Sequence, residues 1–210
     1  MKTIIWDWNG TLFDDVDTCI QSMNVILGRY KIKKLETREE YRSRFCFPVE
    51  NYYQNIGLDF TKTPFDQLAK EYMDIYQPLS MDCGLTKDSE YILDHLKEKK
   101  VHQMILSASK KENLIEQVNS LGIVKYFDQI LGINDYLAKT KIDIARKWVK
   151  ESNSISADMT IIGDTMHDYE VSRELKCQCV LYTKGHQNIS NDPLDGCVKI
   201  NDLKEVLNFV

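Results

Sequence analysis

The chain has 210 residues, 43% hydrophobic and 28% charged, with 27 lysines and arginines against 32 aspartates and glutamates. That composition argues against a mainly disordered chain, and a formal charge of −5 argues against a general nucleic-acid binder, whose affinity rests on phosphate neutralisation. No apolar run nears the ~20 residues that span a bilayer, and the N-terminal apolar stretch meets Asp7 too early for a signal peptide. A cytoplasmic protein with no membrane partner and reduced thiols is therefore expected. Cys177 and Cys179 lack a second ligand pair at zinc spacing and are expected to pack inside an extended segment.

The first element is a short apolar strand over residues 3–6. The next stretch, 15–82, holds helix signals and no convincing strand. Val16, Ile20, Met23 and Leu27 form one apolar stripe. Thr37 and Glu40 have capping-box spacing, and Pro48 opens a helix that Gly57 closes. Thr63-Pro64 starts a further helix carrying Leu68, Tyr72, Ile75 and Tyr76, with Pro78 as its expected end. A helix over 88–97 then leads into a regular rhythm. Strands are expected over 101–106, 129–132, 160–163, 178–182 and 197–200. Helices alternate with most of them: one through Leu114, Ile115, Val118 and Leu121 with Gly122 as its stop, then 142–149, 169–175 and a last one over 202–209. Apolar strands alternating with helices imply a parallel sheet covered by helices. The expected organisation is an α/β core from 1–14 and 83–210 with an α-helical subdomain, 15–82, inserted after the first strand. The basic cluster between Arg29 and Arg44 reads as a solvated helix face, with Arg42 and Arg44 as the candidates for reaching an anionic substrate.

Three strands deliver polar groups to one edge. Asp7 follows the first strand in Asp7-Trp8-Asn9-Gly10-Thr11-Leu12, where Gly10 allows a sharp turn. Ser107 is expected to end the second strand, and Asp164 ends a third, with Asp168 four residues on. Sites in open parallel sheets form at the carboxyl ends of the strands. Buried carboxylates are costly unless paired or bound to metal. Lys139 or Lys141, just before the helix at 142, can balance part of the charge of Asp7, Asp164 and Asp168. An all-oxygen set favours a hard cation such as magnesium, which shares phosphate oxygens. These residues point to phosphoryl chemistry.

With those motifs in order, the chain resembles the haloacid dehalogenase superfamily in its phosphatase branch, and within it the phosphoglycolate phosphatase-like group with a helical cap. The resemblance covers nearly the whole chain and implies a Rossmann-like core. It also implies roles. Asp7 would be the nucleophile that forms an aspartyl-phosphate. Mg2+ would be held by Asp7, the backbone carbonyl of Asn9 and Asp164, with Asp168 in or just behind the first shell. Ser107, with the backbone of Ala108 beside it, would hold a phosphate oxygen. Lys141, with Lys139 as the competing choice, would hold nucleophile and phosphate together. Trp8 would line the substrate slot or offer its backbone N–H. The implied substrate is a small phosphomonoester, and the implied state a monomer or homodimer.

Asn9 departs from the family pattern, which carries an acid/base aspartate two residues after the nucleophile. Asparagine keeps the carbonyl but cannot exchange a proton near neutral pH. General acid–base help is worth roughly 10²–10⁴-fold. The alternatives to efficient hydrolysis are therefore a phosphate-binding or regulatory protein with weak catalysis and a phosphotransferase of the same fold. His167, inside the acidic motif, and His186, after Gly185, are further candidates for phosphate contact or proton work; for His167 the competing reading is a solvent-facing residue at a helix start.

Overall fold

A computed structural model describes residues 2–134, 141–152, 156–190 and 192–209. Six strands form one parallel sheet: β1 (Thr3–Trp6), β2 (His102–Lys110), β3 (Gln129–Ile133), β4 (Met159–Gly163), β5 (Gln178–Tyr182) and β6 (Cys197–Ile200). Their order is β3-β2-β1-β4-β5-β6. β1 thus lies between β2 and β4, and the order reverses there, which opens a crevice at the carboxyl edge. Alternation along the strands builds both faces of the core. Ile4, Trp6, Ile105 and Ile162 enter one buried cluster, while Ile5, Met104, Leu106 and Ile161 enter another on the opposite face. α5 (Ser89–Glu98) and α6 (Lys111–Ser120) supply Ile92, Leu93, Leu114 and Val118 to the first face. α7 (Ile142–Ser152) and α8 (Met166–Leu175) supply Ala145, Trp148 and Val171 to the second.

Between β1 and α5 run α1 (Val16–Arg29), α2 (Arg38–Arg44), α3 (Val49–Asn55) and α4 (Phe65–Ser80). They enclose a cluster of their own, with Met23, Ile26, Leu27, Tyr41, Tyr52 and Leu68 all buried. The expected cap signals act locally: the Thr37 side chain accepts from the Glu40 N–H at 3.0 Å, and Gly57 has φ +100°.

The expectations need adjusting at three points. α4 continues two residues past Pro78 to Ser80. A proline in the last turn forfeits one backbone bond there, which the helix end tolerates. β2 does not end at Ser107 but runs to Lys110, with a register shift against β3 between Leu106 and Lys110. A register shift of this kind marks a bulge, here at the carboxyl end of the strand that carries Ser107. The last helix is a tighter 3₁₀ turn, Leu203–Asn208, with the Asp202 side chain accepting from the Lys204 N–H.

Candidate active site

The carboxyl edge of β1 and β4 gathers three buried carboxylates. The Asp7 N–H donates to the Ile162 carbonyl at 2.8 Å, extending the β1–β4 ladder by one residue and fixing Asp7 at the edge. Oxygens of Asp7, Asp164 and Asp168 lie within 4.8 Å of one another. Asp164 accepts from Thr11 Oγ1 at 2.9 Å and from the His186 N–H at 2.5 Å. Asp168 Oδ2 accepts from the N–H groups of Asp164 and Thr165 and from Thr165 Oγ1 at 2.7 Å, pinning the turn into α8. This nesting is close: a Cβ on Gly163 would overlap the Asp168 carboxylate. Gly10, at φ +70°, likewise leaves room for Asp164 and the His186 ring.

Lys141 enters from the start of α7. Its Nζ stands 2.7 Å from Asp7 Oδ1 and 2.6 Å from Asp168 Oδ1, and it donates to the Leu106 carbonyl at 3.3 Å. Asp168 Oδ1 meets the lysine charge but makes no hydrogen bond of good geometry, so the oxygen keeps capacity for another electrophile. Burial, with the Asp168 charge adding, pushes Asp7 well above the carboxylate range against the pull of Lys141. Burial pushes Asp164 up to about 6, with His186 opposing. Asp168 is lowered, because Lys141 and the Thr165 hydrogen bond outweigh its burial. Burial works against the Lys141 charge, but Asp168 and Asp7 together raise it. One lysine among three buried carboxylates leaves a negative excess, and the donors are all oxygen. The set fits a hard divalent cation.

A second buried network adjoins this one. Asn9 Nδ2 donates to Asp15 Oδ2 at 2.8 Å and to the Tyr76 hydroxyl at 2.9 Å, while Asn9 Oδ1 accepts from Ser109 Oγ at 2.6 Å. Asp15 also accepts from the Gly10 N–H at 3.0 Å and from the Tyr76 hydroxyl at 2.6 Å. His186 Nε2 lies 3.1 Å from Asp15 Oδ1, and its Nδ1 lies 2.8 Å from the Tyr41 hydroxyl. Burial alone would raise Asp15, but His186, Tyr76 and Asn9 together bring it down to about 2. Burial alone would lower His186, but Asp15 and then Asp164 raise it to about 9. Ionised Asp15 therefore fixes the orientation of Asn9: only its amide N–H can face that carboxylate.

Both networks border one cavity of about 150 Å³ between the carboxyl edge and α1–α4. Asp7, Asn9, Ser107, Ala108 and Lys141 line it. Residues 4–182 match the family model for haloacid dehalogenase-like hydrolases. The chain belongs to this family. Its fold is shared by a haloacid dehalogenase-like family protein of Streptococcus pneumoniae, 19% identical, with a TM-score of 0.83 over 100% of this chain and 98% of that one. A predicted phosphoglycolate phosphatase of Haemophilus somnus is 15% identical, with a TM-score of 0.77 over 100% and 97%. CbbY of Rhodobacter sphaeroides, solved with phosphate, is 14% identical, with a TM-score of 0.74 over 98% and 96%. A search of curated protein sequences finds no match to the chain.

The remaining sequence candidates fall in and around this hydrolase-family site. Ser107 is buried and its Oγ accepts from the Ser109 N–H at 3.0 Å. Trp8 turns its ring away from the cavity: it stacks on Phe13 at 4.9 Å and donates to Gln117 Oε1 at 2.8 Å. Only the Trp8 backbone is left to serve the site. His167 neither borders the cavity nor faces solvent; it is 4% exposed, stacks on Phe47 and accepts from the Lys141 N–H at 3.2 Å. Lys139 lies outside the described residues. Arg42 does not point at a substrate: it donates to the carbonyls of Gly185, Thr183 and Gln187, clasping α2 to the loop after β5. Arg44 pairs with Glu40 at 3.0 Å. Among the described residues no helix is long and apolar enough to cross a membrane.

Sequence reasoning missed Asp15, Tyr76, Tyr41 and Ser109. Asp15 stands directly before α1, where an acid reads as a helix cap, yet it makes no side-chain cap bond and turns inward. Tyr76 stands in an apolar stripe that reads as core, and Tyr41 stands inside the basic cluster that reads as a solvated helix face. The one available signal was Asn9, a side chain that needs both a donor and an acceptor partner.

Proposed function

We propose that the protein is a magnesium-dependent phosphatase that hydrolyses a small phosphomonoester through an aspartyl-phosphate on Asp7. The observation that supports this best is Asp7 itself: a cavity-lining carboxylate 2.7 Å from Lys141 Nζ, with two further carboxylates beside it. In the first step an Asp7 carboxylate oxygen attacks phosphorus, the bond to the ester oxygen breaks, and the departing alkoxide takes its proton from water. In the second, water attacks phosphorus, releasing inorganic phosphate and the Asp7 carboxylate. Asp7, the backbone carbonyl of Asn9 and Asp164 would hold magnesium, with Asp168 in or just behind that set. Bound there, magnesium supplies charge neutralisation for the phosphate oxygens. Lys141 holds Asp7 in place and offers its charge to the transferring phosphoryl group. Ser107 and the backbone at Ala108 donate to a non-bridging oxygen. Residues 15–82 serve as a cap that, clasped by Arg42, keeps bulk water from the reacting groups. The corresponding setting is a cytoplasmic monomer or homodimer.

Asn9 favours one second reading. Its amide is committed to Asp15, Tyr76 and Ser109 and carries no exchangeable proton for the leaving group. A phosphate-binding protein with weak catalysis has the same site. The deciding experiment is phosphate release from a panel of phosphate esters with magnesium and with EDTA, together with trapping of labelled phospho-enzyme. Magnesium-dependent release that Asp7→Asn abolishes supports the phosphatase. Binding with neither release nor phospho-enzyme supports the other reading.

A further inference from the structure

We infer that the leaving group of the substrate is a single uncharged ring bearing one neutral polar substituent, and not a group with a second anion; this deepens the phosphatase reading and rests on it. The cavity beyond Asp7 is walled by Phe45, Phe47, Tyr52, Tyr53, Tyr72 and Met73, all from the helical insertion. Their rings stand at angles to one another, Phe45 against Phe47 at 89° and Tyr52 against Tyr53 at 80°. Aromatic walls of this kind favour a flat apolar guest by edge and face contact. The whole cavity, about 150 Å³ including the space beside Asp7 and Lys141 for the phosphoryl group, leaves room for no more than one benzene-sized ring against these walls.

The charges point the same way. A leaving group with its own carboxylate or phosphate needs an uncommitted cation, and the cap supplies none to the cavity. Arg29, Arg38 and Arg44 pair with Glu71, Asp17 and Glu40, and Arg42 is spent on backbone carbonyls. From the core, Lys141 is held between Asp7 and Asp168. Both ring nitrogens of His186 are engaged, by Asp15 and by Tyr41. Lys110 borders the cavity, but from its rim: its side chain is 38% exposed and faces the exposed Glu112 at 3.5 Å. Asp15 adds a negative charge to the wall. An anion carried past the Lys110 rim to the aromatic walls would be desolvated without a partner. Two side chains of the cavity wall, Tyr52 and Gln77, instead each carry a polar atom that has no partner among the described residues. Tyr52 is 3% exposed, and its hydroxyl has no hydrogen-bond partner among the described residues. A buried hydroxyl of that kind is costly until a ligand satisfies it.

The test separates ring preference from turnover. Benzylphosphonate, its 4-hydroxy and its 4-carboxy derivatives are titrated into the protein by calorimetry with magnesium, and methylphosphonate serves as the ring-free control. Phosphate release from acetyl phosphate, which has no ring, reports the phosphatase reading independently. Benzylphosphonate should bind roughly a hundredfold or more tightly than the 4-carboxy compound, the usual scale for an unpaired buried charge. Tyr52→Phe should lower the affinity ratio of the 4-hydroxy to the unsubstituted compound about tenfold. Met73→Lys should narrow or reverse the carboxylate discrimination. Equal or tighter binding of the 4-carboxy compound by the wild type overturns the inference, as does methylphosphonate binding as well as benzylphosphonate. If the ring preference holds while acetyl phosphate is not hydrolysed, the specificity stands and the phosphatase reading falls.

Discussion

Replacing Asn9 by aspartate restores the family residue on paper, but the structure gives that change a specific cost. The Asn9 amide nitrogen sits 2.8 Å from Asp15, a carboxylate held down to about 2 and so ionised throughout the neutral range. Asn9→Asp puts an oxygen where that N–H was. Two charges about 4 Å apart repel by about 4 kcal/mol at an effective dielectric constant of about 20. That equals about three pKa units, which carries the new carboxyl from about 4 to about 7. Below that value it is neutral and can donate its proton to Asp15, as the amide does now. The folded pKa lies above the unfolded one, so the variant loses stability as pH rises between about 4 and 7. The loss relative to wild type between pH 5 and pH 8 should be about 3 kcal/mol. Urea unfolding of both proteins at the two pH values measures it. Turnover of an alkyl phosphate by the variant should rise as pH falls, with a limb near 7, because only the protonated form carries the acid. A variant whose stability tracks wild type across this range would refute the assigned Asn9–Asp15 contact and the magnitude built on it.

Asp7→Asn should abolish turnover yet leave the metal-free protein at least as stable as wild type, since burial, with Asp168 adding, already disfavours the ionised Asp7 and Lys141 keeps Asp168 as its partner; thermal unfolding in EDTA beside an activity assay checks both halves. Asp164→Ala should weaken magnesium binding more than Asp168→Ala, whereas Asp168→Ala should cost more stability, on the order of 1–2 kcal/mol, by uncapping the turn into α8. Calorimetric titration of magnesium and urea unfolding separate the two effects. The His186–Asp15 pair gives a third expectation. His186 is raised from 6.5 to about 9, so its contribution is complete below about 6.5 and is lost as pH rises through about 9. His186→Gln should flatten that decline, and an unchanged decline in the variant would count against the pair.

Much of the fold was legible because the signals are local. β1 at Thr3–Trp6 and β5 at Gln178–Tyr182 begin and end where their apolar runs do. Strands buried on both faces announce themselves by composition alone. Thr37, Pro48 and Gly57 mark helix ends because a side-chain acceptor, a fixed φ and a positive φ are properties of single residues. Asp7 and Asp164 were legible for a related reason: a charged residue at the end of a buried strand is conspicuous in the chain itself, with Asp168 four residues on and a lysine, 139 or 141, just before the helix at 142.

What tertiary structure decided is where side chains turn and what they meet. Asp15 and His186 are 171 residues apart in the chain and 3.1 Å apart in space. Nothing in either segment encodes that meeting, because it depends on how the helical insertion settles over the carboxyl edge. The same holds for Trp8, whose ring goes to Gln117 and not to the cavity, and for Arg42, whose charge goes to backbone carbonyls and not to a substrate. Periodicity fixes which face of an element is apolar, but the partner of a polar side chain is chosen by three-dimensional proximity under the requirement that buried donors and acceptors be satisfied. Asn9 carries both lessons. The sequence by itself identified it as the residue that cannot move a proton; only the packed structure supplies the reason an amide sits there, an ionised carboxylate at hydrogen-bond distance that accepts an N–H and repels a second negative charge.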